Sequence, residues 1–139
     1  MKIAARLLLA FVIALASPGA MSQQSSSNTE IRIGNLMPYT GPLAEFAAIG
    51  KAEAAYFDMI NDRGGINGRK LRFISLDDKS DPTVALDLTR GLVEKGNILL
   101  MFGSFGTAGN LAVRFFLNER KIPQLVVAFR KDLQSDIAP

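Results

Sequence analysis

"NDRGGINGRKLRFISLDDKSDP", residues 61–82, carries the ends of three structural elements in one short run. Asn61-Asp62-Arg63-Gly64-Gly65 closes a helix, with glycine available for the left-handed residue that ends many helices. Asn67-Gly68 is a strong turn signal. From Lys70 to Asp77, Leu71, Phe73 and Ser75 alternate with Arg72, Ile74 and Leu76, which predicts a strand. Asp81-Pro82 then stops the strand and opens another helix. The acidic cluster Asp77, Asp78 and Asp81 admits two readings. Carboxylates at strand ends can hold a divalent cation or accept a phosphoryl group. Alternatively, Asp81 caps the helix, Pro82 takes its first position, and negative charge favours that helix end. No phosphate motif accompanies the cluster, so it is read as punctuation.

Outward from this stretch the alternation continues. Residues 31–37, "IRIGNLM", read as a largely buried strand. Thr40 or Gly41 is the expected cap of a helix over residues 43–60, with Pro42 in its first turn. Leu43, Phe46, Ile49, Ala52, Tyr56, Met59 and Ile60 recur at steps of three and four, which predicts the buried face. On the other side, residues 83–95 read as a helix with Val84, Leu88 and Leu92 inward. Residues 97–103, "NILLMFG", read as a strand covered on both faces. A helix over 110–118 and an apolar strand over 124–129 follow. The order β-α-β-α-β-α-β with short connections predicts the α/β class, a doubly wound, Rossmann-like parallel sheet. Ligands of such sheets sit beyond the carboxyl ends of the strands. Residues 38–45, 77–82 and 103–110 are expected to converge there.

The chain has 139 residues, with 16 Lys and Arg against 13 Asp and Glu, and neither His nor Cys. Met1 to Arg6 brings two positive charges, Leu7 to Ala16 is an apolar run, and small residues follow to Ser22. That order predicts a cleaved secretory signal peptide over residues 1–22, with cleavage after Ala16 as the alternative. The polar, Ser-rich residues 23–29 read as a flexible leader. Without Lys2 and Arg6 the balance is 14 basic to 13 acidic side chains, which makes no case for nucleic acid. The absence of His and Cys excludes Cys-His nucleophiles and the usual zinc sites and Ser-His-Asp triads.

The chemistry is concentrated in "GSFGTAG", residues 103–109. Its glycine spacing, and its place after the third strand, differ from those of a dinucleotide loop. Small residues at a helix N-terminus expose backbone N–H groups, and Ser104 and Thr107 add hydroxyls. Fixed donors, a favourable helix dipole and little steric bulk suit a carboxylate. A tight turn with no ligand is the alternative. Phe46, Tyr39 and Phe105 are candidates for an apolar wall, although core packing is the default for Phe46.

Taken together, "TGPLAEFA", "INDRGGINGRKL", "DDKSDP" and "GSFGTAGNLAV" resemble the N-terminal lobe of periplasmic amino-acid-binding proteins of ABC transporters. The resemblance is to the leucine/isoleucine/valine-binding type with the type 1 periplasmic-binding fold. It covers residue 31 to about residue 128. It implies a two-lobed clamshell that closes on an amino acid or related small carboxylate and is then presented to an inner-membrane permease. Binding without turnover, no cofactor, no metal, a monomeric state and a periplasmic location are implied with it. Thr107 falls where the family places a hydroxyl for the ligand carboxylate, with Ser104, Phe105, Gly106 and Ala108 in the same loop. Phe46 falls where the family sets an aromatic against the ligand side chain. After Ala128 the family carries a second ligand loop of small and hydroxyl residues, whereas this chain has Phe129, Arg130 and Lys131. Residues 30–129 are thus expected to be the N-terminal lobe and 130–139 a divergent tail, as in a truncated or frame-shifted product with little tight binding of its own. A non-functional remnant is the main alternative; a receiver or nucleotide-type enzyme domain lacks the needed motifs.

Overall fold

The computed structural model describes residues 29–125. The expected signal peptide, most of the leader, residues 126–129 of the fourth strand and the tail over 130–139 lie outside the described residues. Strand β1 (Glu30–Met37) leads through a 3-10 turn, Ala44–Phe46, into helix α1 (Ala47–Asp62). Strand β2 (Lys70–Asp77), helix α2 (Pro82–Glu94), strand β3 (Leu100–Phe102), helix α3 (Thr107–Glu119) and strand β4 (Gln124–Leu125) follow. Among the described residues the four strands pair in parallel, in the order β2-β1-β3-β4. The chain therefore winds outward to β2 and returns past β1 to β3, so the winding reverses between β1 and β3.

Right-handed crossovers then place helices on opposite faces. Ile33 of β1 and Leu71 of β2 pack with Phe57 of α1 on one face. Leu36 and Met101 pack with Ala85 and Leu92 of α2 and Val113 and Leu117 of α3 on the other. Gly34 lies between Leu36 and Arg32 on the second face, where a β-carbon would stand 2.6 Å from Met101 Sδ and 2.8 Å from Ile98 Cδ1. The missing side chain lets the α2 side close over the central strand.

The local signals of residues 61–82 translate directly into geometry. Gly65 N–H bonds to Ile60 C=O and Gly64 N–H to Asn61 C=O, both at 3.0 Å, the paired bonds of a Schellman ending. Asn67 and Gly68 have φ of 50° and 77°, closing a two-residue hairpin between Ile66 and Arg69. The Asp81 carboxylate accepts from Thr83 N–H at 2.7 Å and Val84 N–H at 3.2 Å, with Pro82 opening α2.

Three elements differ from the pattern-based expectation. The buried line of α1 is Gly50, Glu53, Phe57 and Ile60, one residue round from the expected face; Ile49 and Tyr56 are 38% and 58% exposed. Phe57 decides this, with its ring 5.0 Å from Phe73 and 5.6 Å from Phe102. Gly50 permits it, since a β-carbon there would meet Tyr39 Oη at 2.5 Å. The helix also begins at Ala47, not Leu43, because residues 44–46 form a 3-10 turn. Strand β3 is confined to three residues: Asn97 (φ 50°) and the buried Ile98 still belong to the connection from α2, and Gly103 (φ 67°) turns the chain away. Helix α3 begins at Thr107, three residues before expected, because Gly106 (φ 115°) makes the entry turn without a side chain.

Thr89, fully buried in α2, has a hydroxyl with no hydrogen-bond partner. Thr89→Val keeps the shape and removes the unsatisfied group, so it should raise the unfolding free energy by about 1 kcal/mol. Urea denaturation, read as a midpoint shift at unchanged slope, checks this.

Candidate functional site

At the carboxyl edge of β1 and β3, where the winding reverses, two loops meet. Phe105 N–H donates to Leu36 C=O at 3.0 Å, and Leu36 N–H donates to Ser104 Oγ at 3.1 Å. The 103–106 loop is thus tied to the central strand through both polar groups of one residue. Asn110 Nδ2 donates to the Ser104 carbonyl at 3.0 Å, and Gln124 Nε2 donates to Asn110 Oδ1 at 2.8 Å, bracing the loop from α3 and β4. From the β1 side, the 3-10 turn directs Phe46 onto Phe105. Their rings stack with centroids 4.4 Å apart and planes inclined by 23°. Phe46 is 36% exposed, so its ring is a surface wall and not core.

The first turn of α3 is the chemically distinctive part. Its first N–H groups, from Thr107, Ala108 and Gly109, have no partner within the helix. Helix α2 meets the same need with the Asp81 carboxylate, whereas no side chain caps α3. The positive end of the helix dipole and these donors stand beside the half-buried Thr107 and the exposed Ala108.

Of the residues singled out from sequence, Phe46, Ser104, Phe105, Gly106, Thr107 and Ala108 come together at this edge. Ser104 is 1% exposed and its oxygen already accepts the Leu36 N–H, so its first task is to hold the loop. Tyr39 turns inward, its hydroxyl 2.7 Å from Ser75 Oγ. The third expected loop, 77–82, braces the β1 loop. Asp77 accepts from the Thr40 hydroxyl (2.6 Å), Thr40 N–H (3.2 Å) and Lys79 N–H (3.0 Å). Burial opposes ionisation of Asp77, but hydrogen bonds from Thr40, Lys79 and Tyr39 outweigh it and hold the carboxyl below its usual range. Asp78, 2% exposed, is pushed up by burial and by the neighbouring charges of Asp77 and Asp81; it accepts from Ser80 N–H at 3.0 Å. The cluster folds the loop, as its reading as punctuation expects, and no cluster of three or more Asp or Glu suited to a metal occurs among the described residues.

Sequence reasoning missed a buried polar network on the α1 face, directly beneath the same edge. Ser75 Oγ donates to Asn35 Oδ1 at 2.6 Å. Asn35 Nδ2 donates to Glu53 Oε2 at 3.1 Å and to the Phe102 carbonyl at 2.8 Å. Burial raises the Glu53 carboxyl from 4.5 to about 7. The available signal was an asparagine within the apolar "IRIGNLM" and a glutamate within an alanine-rich helix.

Known proteins share this fold. The solved structure of the branched-chain amino acid transporter substrate binding protein LivJ from Streptococcus pneumoniae, in complex with isoleucine, matches with a TM-score of 0.67 at 23% identity, covering 76% of this chain and 31% of that one. An extracellular ligand-binding receptor from Verminephrobacter eiseniae matches with a TM-score of 0.64 at 25% identity, covering 77% and 31%. An amino acid binding protein of Pseudomonas aeruginosa is 29% identical over 103 residues, 72% of this chain and 27% of that protein. The leucine-, isoleucine-, valine-, threonine- and alanine-binding protein of the same organism is 33% identical over 84 residues, 60% of this chain and 22% of that protein. The chain thus spans about a quarter of the length of these two curated relatives. The family profile itself matches residues 30–136, most of the chain and every element of the sheet. By that match, this chain belongs to the periplasmic binding protein family.

Proposed function

We propose that the chain acts in the substrate-binding component of an ABC importer, holding an amino acid of the branched-chain type or a related small carboxylate. The observation that carries this reading is the uncapped first turn of α3 beside the Phe46–Phe105 stack. The N–H groups and the Thr107 hydroxyl take the ligand carboxylate, and the two rings take its apolar side chain. Relatives that bind leucine, isoleucine and valine support the choice of ligand class. The protein binds without turnover and hands its ligand to a permease in the inner membrane. Residues 1–22 direct export to the periplasm, where it works as a monomer without cofactor.

One wall at an open edge leaves much of a small ligand hydrated, so binding to this chain is weak, with Kd on the order of 1 mM. Titrating the ¹⁵N-labelled chain with L-leucine should move the Gly106, Thr107 and Ala108 amides. L-Leucinamide, which lacks the carboxylate, should leave them in place. Thr107→Val should weaken leucine binding about tenfold through loss of one charge-assisted hydrogen bond. Equal shifts with leucinamide, or none in this loop at 50-fold excess over about 1 mM, would refute the assignment.

A further inference from the structure

Beneath the proposed carboxylate site, Glu53 reaches from α1 to the turn that starts the 103–106 loop. Its carboxyl occupies the space where any β-carbon on Gly103 would stand, so the glycine is needed for the contact as well as for its φ of 67°. Gly103 N–H donates to Leu125 C=O at 3.0 Å, and the next two residues are bonded to Leu36. The loop is thus fixed to β4, β1 and α3 by hydrogen bonds, while its first residue, Gly103, packs against the Glu53 carboxyl.

We propose that Glu53 is a positioning residue for the Ser104–Thr107 loop: uncharged, it packs on the Gly103 turn and fixes the loop amides, and ionised it lets them go. The inference rests on the reading of those amides as a carboxylate site, but its physical basis is independent of any ligand. The groups facing Glu53 are Asn35 from β1 and the Gly103 turn that follows β3, with the Phe102 carbonyl, Ser75 of β2 and the Tyr39 phenol reached through Asn35. None of these carries a positive charge, and none of the ion pairs among the described residues includes Glu53. Asn35 offers a single N–H to this carboxyl, its other being given to the Phe102 carbonyl. An ionised carboxylate here has one donor where water would supply several, and turns toward water. That movement removes the support of Gly103, and the new negative charge opposes an anionic ligand at the same edge.

The direction with pH follows. A carboxyl raised from 4.5 to about 7 on folding contributes stability that is complete below 4.5 and is lost as pH rises through about 7. Over pH 5.5–8.5 the Glu53 side-chain carboxyl ¹³C resonance should titrate with a midpoint near 7, and the Ser104, Phe105, Gly106 and Thr107 amide resonances should follow the same curve. In Glu53→Gln those amides should be flat with pH and match the low-pH wild type. Amides that titrate equally in Glu53→Gln would overturn the proposal. So would a Glu53 carboxyl that titrates near 4.5, a readout requiring no variant. Because no ligand is added, a chain that fails to bind leucine yet shows this titration would refute the proposed function and leave the positioning role standing.

Discussion

Asn35→Ala should lower the unfolding free energy by about 3 kcal/mol, as much as truncating a buried apolar side chain of the sheet. Asn35 is fully buried, and each of its polar atoms is engaged: Oδ1 by Ser75, Nδ2 by Glu53 and by the Phe102 carbonyl. Truncation removes three bonds at once, to partners on β2, β3 and α1 that are themselves half-buried. Leaving a buried acceptor unpaired costs about 1–3 kcal/mol, so even partial relaxation produces a large effect. Urea unfolding of wild type and variant at one pH checks it. A loss below about 1 kcal/mol would mean that water enters and replaces the amide.

Gly65→Ala should cost about 3 kcal/mol by a different route, through the backbone alone. Gly65 has φ of 78°, and a β-carbon there would overlap the carbonyl of Arg69, which belongs to the hairpin that carries the chain into β2. Left-handed backbone costs a residue with a β-carbon roughly 1–2 kcal/mol, and displacement of a main-chain carbonyl adds to it. Gly68→Ala is the control. Its φ is 77°, but nothing lies within 4 Å of the new carbon, so only the conformational cost of about 1 kcal/mol remains. Thermal or urea unfolding of the two variants should therefore separate by about 2 kcal/mol. Equal losses would show that the Arg69 carbonyl moves aside freely.

What could be read from sequence was chemistry that acts locally. Gly64-Gly65, Asn67-Gly68 and Asp81-Pro82 each constrain a few neighbouring dihedrals or donors, and each produces the predicted turn or cap whatever surrounds it. The alternation of strands and helices gave the sheet for a similar reason. The orientation of α1 was not legible, because alanines at 47, 48, 52, 54 and 55 offer little contrast between faces. The choice falls to Gly50 and Phe57, whose roles depend on β1, β2 and β3 already being in place. The candidate loop was visible because its donors are backbone groups exposed by small residues. Glu53 and Asn35 were not, since a polar residue in an apolar pattern gives no sign of which partner satisfies it. Tyr39 shows the converse: an aromatic near the right edge, with its hydroxyl committed to Ser75 on the face below.

The all-parallel sheet has a consequence for the order in which the molecule can be made. Glu30 pairs with Lys70, forty positions later, and Ile33 with Leu100, sixty-seven positions later. None of the described strands has a hairpin partner to meet early, so each of their ladders waits for a helix-containing loop to close. The helices can form within their own segments, while β1, though near the start of the sheet in sequence, stays unpaired on one side until β3 has been synthesised. Such non-local pairing slows assembly. It prolongs the interval in which β1 is open to pairing with another copy.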